Sequence, residues 1–439
     1  MEYLVSQTYR QLPLCDTSLT LALEAIRFSI QAEDSMTLVN RVTKMPRELK
    51  LFIGASLMMG IAYSIYDSTF NNFINARFQL SGFQRSLLEL PRELPGFLVV
   101  FVSAILWFLC SRRLGAFALA LGVVGTLLIG FLSSTYALLM ICLFIYSMGM
   151  HLFIPISSSI GMELARTGQT GRRLGQLNAI RNFAAVLGSF LVLLGFRYLG
   201  FTFHHSFILT AIGLGIAAVL MLAMKPDAIK KPSTFLKLQK EYRLYYILNI
   251  LAGSRKQIFI TFAPWVIVTI FKQPTETIAT LLTIGGIIGI LFQPILGRAI
   301  DRFGERLVLQ LEAVLLVVVC LGYGFSKFLF PEKTAFLFIC GFYLLDQLSF
   351  SVGMARSMYI KKIALDESHV QPALTAAVTI DHVFSISIAL LGGVIWNIFG
   401  YQYVFLLGIL IAALNFIAAS RVRIPGHTKI PIDEAPILE

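Results

Sequence analysis

Several ionisable side chains in this 439-residue chain sit inside long apolar stretches, where they could do chemistry. Gly253-Ser254-Arg255-Lys256-Gln257 sets two adjacent cations in one such stretch, and Arg181 sets one in another. Asp346-Gln347 and Asp381-His382 set acids in two more. Tyr63, Tyr66 and Asp67 stand at i, i+3 and i+4, so they share one helical face, which Asn71 and Asn72 extend. An ionised group inside a bilayer costs about 2.5–3.5 kcal/mol on insertion scales. Such groups therefore face the protein interior, where they pair, relay protons or hold a solute. Arg255 and Lys256 point about 100° apart on a helix, so they serve different partners. The expected pair is Arg255 or Lys256 with Asp381 or Asp346, and it holds helices together, has a functional role, or does both. His151 could titrate or ligate, although a hydrogen-bonded packing histidine is the plainer reading. Glu89 and Arg92 can pair at i, i+3 beside Pro91 and Pro95. Glu163 and Arg356 fall at helix ends, where they snorkel or form a gate.

The composition says which elements must position these groups. Residues AVILMFWYC make up 57% of the chain and charged residues 14%, and the mean hydropathy is +0.77. Soluble domains carry about 25% charge, so an ordinary soluble enzyme, a disordered chain and a disulfide scaffold are all excluded. Five scattered cysteines without a CxxC read as small apolar residues; no metal site and no cofactor is expected.

The apolar runs predict twelve helices. Helices 1 to 6 fall near Leu49–Phe70, Gln84–Cys110, Leu114–Leu132, Tyr136–Met162, Leu174–Leu199 and Thr202–Ala223. Helices 7 to 12 fall near Leu244–Phe271, Thr275–Leu296, Leu307–Phe325, Thr334–Met358, Pro372–Phe399 and Tyr403–Ala419. The runs lack the period-2 alternation of a closed barrel. The expected class is an all-α polytopic membrane protein, organised as a tail (1–44), a six-helix bundle (45–224), a basic linker (225–243), a second six-helix bundle (244–420) and a tail (421–439). The first tail reads as disordered, as a short surface helix over Leu19–Ile26, or as sequence ahead of a true start at Met45.

Most of the 36 Lys and Arg lie in the tails and the even-to-odd loops. Examples are Arg112-Arg113, Arg172-Arg173, Lys230-Lys231 and Lys361-Lys362. The positive-inside rule then places both termini in the cytoplasm, with the chain integral to the plasma (inner) membrane. The net charge of +12 is topogenic, with contact to anionic lipid, and nucleic acid is not needed to explain it.

The halves repeat. Ala179-Ile180-Arg181-Asn182-Phe183 aligns with Thr379-Ile380-Asp381-His382-Val383, 200 positions later, and Gly200 aligns with Gly400 at the same offset. This predicts two pseudo-symmetric six-helix bundles related by an axis along the membrane normal.

Between helices 8 and 9 runs Gly297-Arg298-Ala299-Ile300-Asp301-Arg302-Phe303-Gly304-Glu305-Arg306. It resembles the G-x-x-x-D-R-x-G-x-[RK] loop signature of the major facilitator superfamily. The resemblance implies twelve spans in two bundles and alternating access. It also implies a conformational latch of Gly297, Asp301, Arg302, Gly304 and Arg306, with Asp301 facing the start of helix 5 near Arg172-Arg173. In the first-half copy, Arg112 stands where the acid is expected and Phe108 where the first glycine is expected.

No G-x-x-x-x-G-K-[ST], H-E-x-x-H or G-x-S-x-G occurs, so neither a P-loop pump nor an enzyme is expected. The expected function is secondary transport of a small solute, proton-coupled, by a chain that works as a monomer. Candidate site residues are Tyr63, Tyr66, Asp67, His151, Arg181, Arg255, Lys256, Asp346, Asp381 and His382. The central cations point to an anionic solute. The alternatives are a drug/proton antiporter of the same superfamily and a non-transporting receptor on the same scaffold. Helix 4 lacks a core Arg and helix 5 lacks a Gly-Pro pair, which weighs against the antiporter.

Overall fold

The computed structural model describes residues 45–165, 170–229, 239–366 and 369–424. The tail 1–44, residues 230–238 of the basic linker and most of the C-terminal tail lie outside the described residues.

All described elements are helices, and their limits follow local signals. Helix 1 is Arg47–Phe78 and ends eight residues past its apolar run, the extension opening with Asn71 and Asn72. Ser81 and Gln84 cap each other's backbone amides, at 3.2 and 3.0 Å, and start helix 2. That helix runs as Gly82–Leu87 and Glu89–Ile105, offset at Leu88 and carrying Pro95 inside. Helices 3 to 6 are Ser111–Leu132, Tyr136–Glu163, Thr170–Tyr198 and Phe203–Ala223. Helix 7 is Arg243–Trp265, continued by a π-helical turn over Val266–Ile270 just past Pro264. Helices 8 and 9 run on as Thr275–Leu329, broken only at Gly304. Gly304 has φ 80° and ψ 161°, a conformation that glycine adopts without a Cβ clash. Helix 10 is Glu332–Ser349, a 3-10 turn and Gly353–Ile363. Helix 11 is Val370–Phe399 and helix 12 is Tyr401–Ser420. Gly200 and Gly400, the aligned pair of the repeat, both have positive φ and end helices 5 and 11.

Nine of these helices are long and apolar enough to cross a membrane, counting helices 8 and 9 as one. The remaining two spans are identifiable. Helix 2 is divided at Leu88, and helix 7 carries Arg255 and Lys256. Twelve spans result. Large apolar side chains such as Val219, Leu291, Leu311, Leu337 and Ile398 are over half exposed, as a lipid-facing surface requires.

From Leu51 onward the described helices pack as one unit. One core gathers apolar residues of helices 1 to 4 and 6, with Leu177 of helix 5 and Trp265 of helix 7. Two more gather those of helices 7 to 12. A small fourth core, Ile65, Val192 and Ala279, joins helices 1, 5 and 8 across the halves. Spans that alternate in direction bring the ends of helices 2, 4, 6, 8, 10 and 12 to one face, where the basic loops lie, called here the basic face.

Candidate transport site

A cavity of about 290 Å³ lies at the centre, walled by helices 1, 2 and 4 of one half and 7, 8 and 10 of the other. Helix 1 contributes Tyr63, Tyr66, Asp67, Phe70 and Asn71. This is the stripe expected from i, i+3, i+4 spacing, because residues so spaced stack on one face. Tyr146 stacks on Tyr66 at 4.2 Å, and Phe259, Tyr343 and Phe350 close the other side. Asp67 makes no hydrogen bond or ion pair with any described residue. The hydroxyls of Tyr66 and Tyr146 are buried without a partner, and such polar groups call for one.

The cations of helix 7 divide between two acids. Arg255 meets Asp346 of helix 10 at 2.5 Å, while Lys256 meets Asp381 of helix 11 at 2.7 Å. Each cation of helix 7 thus takes its own acid. Arg255 is also 3.4 Å from Glu312 of helix 9, and Glu312 takes a second bond from Arg356 at 3.0 Å. Two guanidinium groups and two carboxylates thus form one neutral buried network. Glu312 was not among the sequence candidates, although its charge within an apolar run is the signal that would have found it.

Asp346 and His151 line the cavity, but Arg255, Lys256, Asp381 and His382 stand behind its wall. Arg181 opens on a separate crevice of about 20 Å³ with Phe153 and Leu177, and it bonds Asn178 on its own helix. The three cations that suggested an anionic solute are therefore not brought together at the cavity.

A second network lies along helix 2. Glu89 is fully buried and binds Arg85 at 2.6 Å and Arg92 at 3.1 Å. Arg85 also donates to Asn71 at 3.0 Å. Gln257 of helix 7 donates to Glu89 at 2.9 Å, across the halves. Glu93 faces His382 at 2.8 Å, also across the halves. Nearer the face opposite the basic one, Asn72 donates to the carbonyl of Gln273 at 3.0 Å. There too the backbone of Gly82 packs against Trp396. Thr283 donates to Ser189 at 2.8 Å. These inter-half bonds run from mid-bundle to the face opposite the basic one.

At the basic face, Glu163 pairs with Arg112 at 2.7 Å and Arg356 with Glu312, each within its own half. Asp227, just past helix 6, accepts from the amides of Ser111 and Arg112 at 3.2 and 3.1 Å. It supplies from a distance the acid that the loop after helix 2 lacks. In the second loop, Asp301 is exposed and unpaired among the described residues, as are Arg302 and Arg306 on the surface. Arg302 lies over the Phe303 ring. Glu305, fully buried, binds Lys362 at 2.6 Å. The side chain of Arg172, expected beside Asp301, lies outside the described residues.

Twelve spans around a central cavity walled by both halves define a polytopic membrane protein of transporter type. The sequence matches the family model of the Major Facilitator Superfamily over residues 52–359 and 245–436, and the chain belongs to that superfamily. Its fold resembles a mutant of the nucleoside transporter NupG (TM-score 0.69, 14% identity, covering 85% of this chain and 99% of that one). It also resembles a POT family transporter in complex with a thioalcohol-conjugated peptide (0.70, 11%, 89% and 97%). A D-xylose-proton symporter is a third neighbour (0.65, 15%, 85% and 95%). No curated protein matches the sequence significantly.

Proposed function

We propose that this transporter moves a small solute by alternating access, with both termini on the cytoplasmic side of the plasma membrane. The observation that carries the reading is the 290 Å³ cavity walled by both halves, at the small end of ligand pockets. The basic loops support the orientation. The inter-half bonds then lie on the outer side, so the state described is shut outward.

Arg255 and Lys256 are neutralised by Asp346 and Asp381, and Arg181 is remote from the cavity. Those three cations therefore do not carry the case for an anionic solute, and among the described residues the one cation that lines the cavity is Arg92, beside Asp67. The lining instead favours a molecule with a planar or apolar body, held by Tyr63, Tyr66, Tyr146 and Phe259, with an uncharged or amine-bearing polar end at Asp67. Asp67 is the proton-coupling candidate. Its place among aromatic rings also suits an organic cation exchanged for protons, so the antiporter becomes the second reading.

The test is uptake in proteoliposomes under an imposed pH gradient, after a thermal-shift screen of amines, nucleosides and lipophilic cations. Asp67→Asn is expected to abolish gradient-driven accumulation while sparing exchange. Unchanged coupling in that variant would remove Asp67 from the mechanism. A ligand that binds without any flux would favour the receptor.

A further inference from the structure

Glu93, His151 and His382 form a cluster that the ion pairs of helices 7, 9 and 10 do not absorb. Their ligating atoms all lie within 4.8 Å of one another. Glu93 Oε2 is 2.8 Å from His382 Nδ1. The two imidazole rings stand edge to face, 5.0 Å apart. Two imidazoles and one carboxylate are a donor set that suits zinc, copper and nickel, whereas magnesium and calcium take oxygen ligands. Ligand atoms around tetrahedral zinc sit about 3.3 Å apart, given bonds near 2.0–2.1 Å. The cluster therefore closes on an ion with side-chain shifts of about one ångström.

The surroundings orient the ligands. His151 Nδ1 lies 3.0 Å from the Ser147 carbonyl oxygen, which can only accept. Nδ1 therefore carries the hydrogen, and Nε2 keeps its lone pair for a metal. The Ser147 hydroxyl is itself anchored on the Arg92 carbonyl. Glu93 Oε1 is 3.8 Å from Arg92 Nε, which leaves Oε2 as the ligand. A Cβ at position 96 would stand 2.6 Å from His382 Cε1 and Nε2, so the His382 ring fits because residue 96 is glycine.

We propose that Glu93, His151 and His382 bind one divalent transition metal ion of the zinc class, and that the ion ties the two halves together in the state described. Glu93 and His151 belong to the first half and His382 to the second, so binding needs both halves in register. An ion that binds one arrangement shifts the equilibrium by its differential affinity. The tie rests on the alternating-access reading; the binding does not.

The experiment is calorimetric titration of the chelator-stripped full chain with Zn²⁺, with Mg²⁺ as comparison. One Zn²⁺ per chain is expected, with affinity reduced at least tenfold in His382→Gln and in His151→Gln. His204→Gln is expected to bind as wild type does, and Mg²⁺ is expected not to bind. His151→Gln alone decides the matter if His382→Gln does not fold. Absence of Zn²⁺ binding, or equal binding in the cluster variants, would overturn the site. In proteoliposomes, Zn²⁺ is expected to slow flux reversibly in wild type and to slow it less in the cluster variants, each measured against its own zinc-free rate. Binding without inhibition, or accumulation of Zn²⁺ in the vesicles, would overturn the tie. Binding is measured without flux, so a chain that binds zinc but transports nothing would count against the transport reading alone.

Discussion

Asp381 reaches Lys256 across helices 7 and 11 at 2.7 Å, through a gap at Gly253 that any Cβ would fill by overlapping Asp381 Oδ1. Glycine at 253 is thus a requirement of the ion pair on the next turn. Gly253→Ala is expected to destabilise the protein by about 1–3 kcal/mol, the usual range for overpacking. Flux should fall as well, as it should in Asp381→Lys, which would set two cations against each other. A wild-type melting temperature in Gly253→Ala would show that the two helices can part without loss.

Glu312 is shared by Arg255 and Arg356. Removing one member of a buried ion pair leaves an uncompensated charge, at about 3–5 kcal/mol. Glu312→Ala should therefore be strongly destabilised in detergent melts. Replacing Glu312 and Arg356 together by Leu and Met should recover much of that loss, since Arg255 keeps Asp346. A double-mutant cycle showing simple additivity would refute the shared network.

Asp227 caps helix 3 from outside the spans, with a side chain 5% exposed. Burial alone would raise its pKa. The hydrogen bonds from the Arg112 amide and Ser111 outweigh burial and hold the carboxyl below its ordinary value. A lowered folded-state pKa means that the stabilisation is complete above the unfolded value, about 3.9. It is lost as pH falls through the lower folded value. Asp227→Asn should cost about 1 kcal/mol at neutral pH. The gap from wild type should shrink only below about pH 4. A gap that closes between pH 5 and 7 would point to another group.

Asp301 is exposed on the basic face, and in the outward-shut state proposed above a cytoplasmic latch would be undone. Asp301→Asn should leave the melting temperature unchanged yet slow turnover, because the latch would form in the opposite state. Gly304→Ala should instead lower stability by about 1–3 kcal/mol, because φ 80° with ψ 161° is a backbone region that residues with a Cβ rarely enter. An unaltered transport rate in Asp301→Asn would end the latch idea.

Much of this protein is legible in its residues taken in order. Apolar run length sets the spans, because a bilayer leaves no other solution for the backbone. The spacing of Tyr63, Tyr66 and Asp67 sets a polar stripe, because helical periodicity is local. The angle between Arg255 and Lys256 already requires two partners. Which acid each cation takes, and that Glu312 joins them, depends on how helices 7, 9, 10 and 11 approach. Whether a cation faces the cavity, as Arg92 does, or is neutralised behind its wall, as Arg255 and Lys256 are, also depends on that packing. Asp227 caps a helix that begins 116 residues earlier, and Glu93 meets His382 across 289 residues. Contacts at such separations leave no periodic trace in the sequence, since only the tertiary packing brings their partners together.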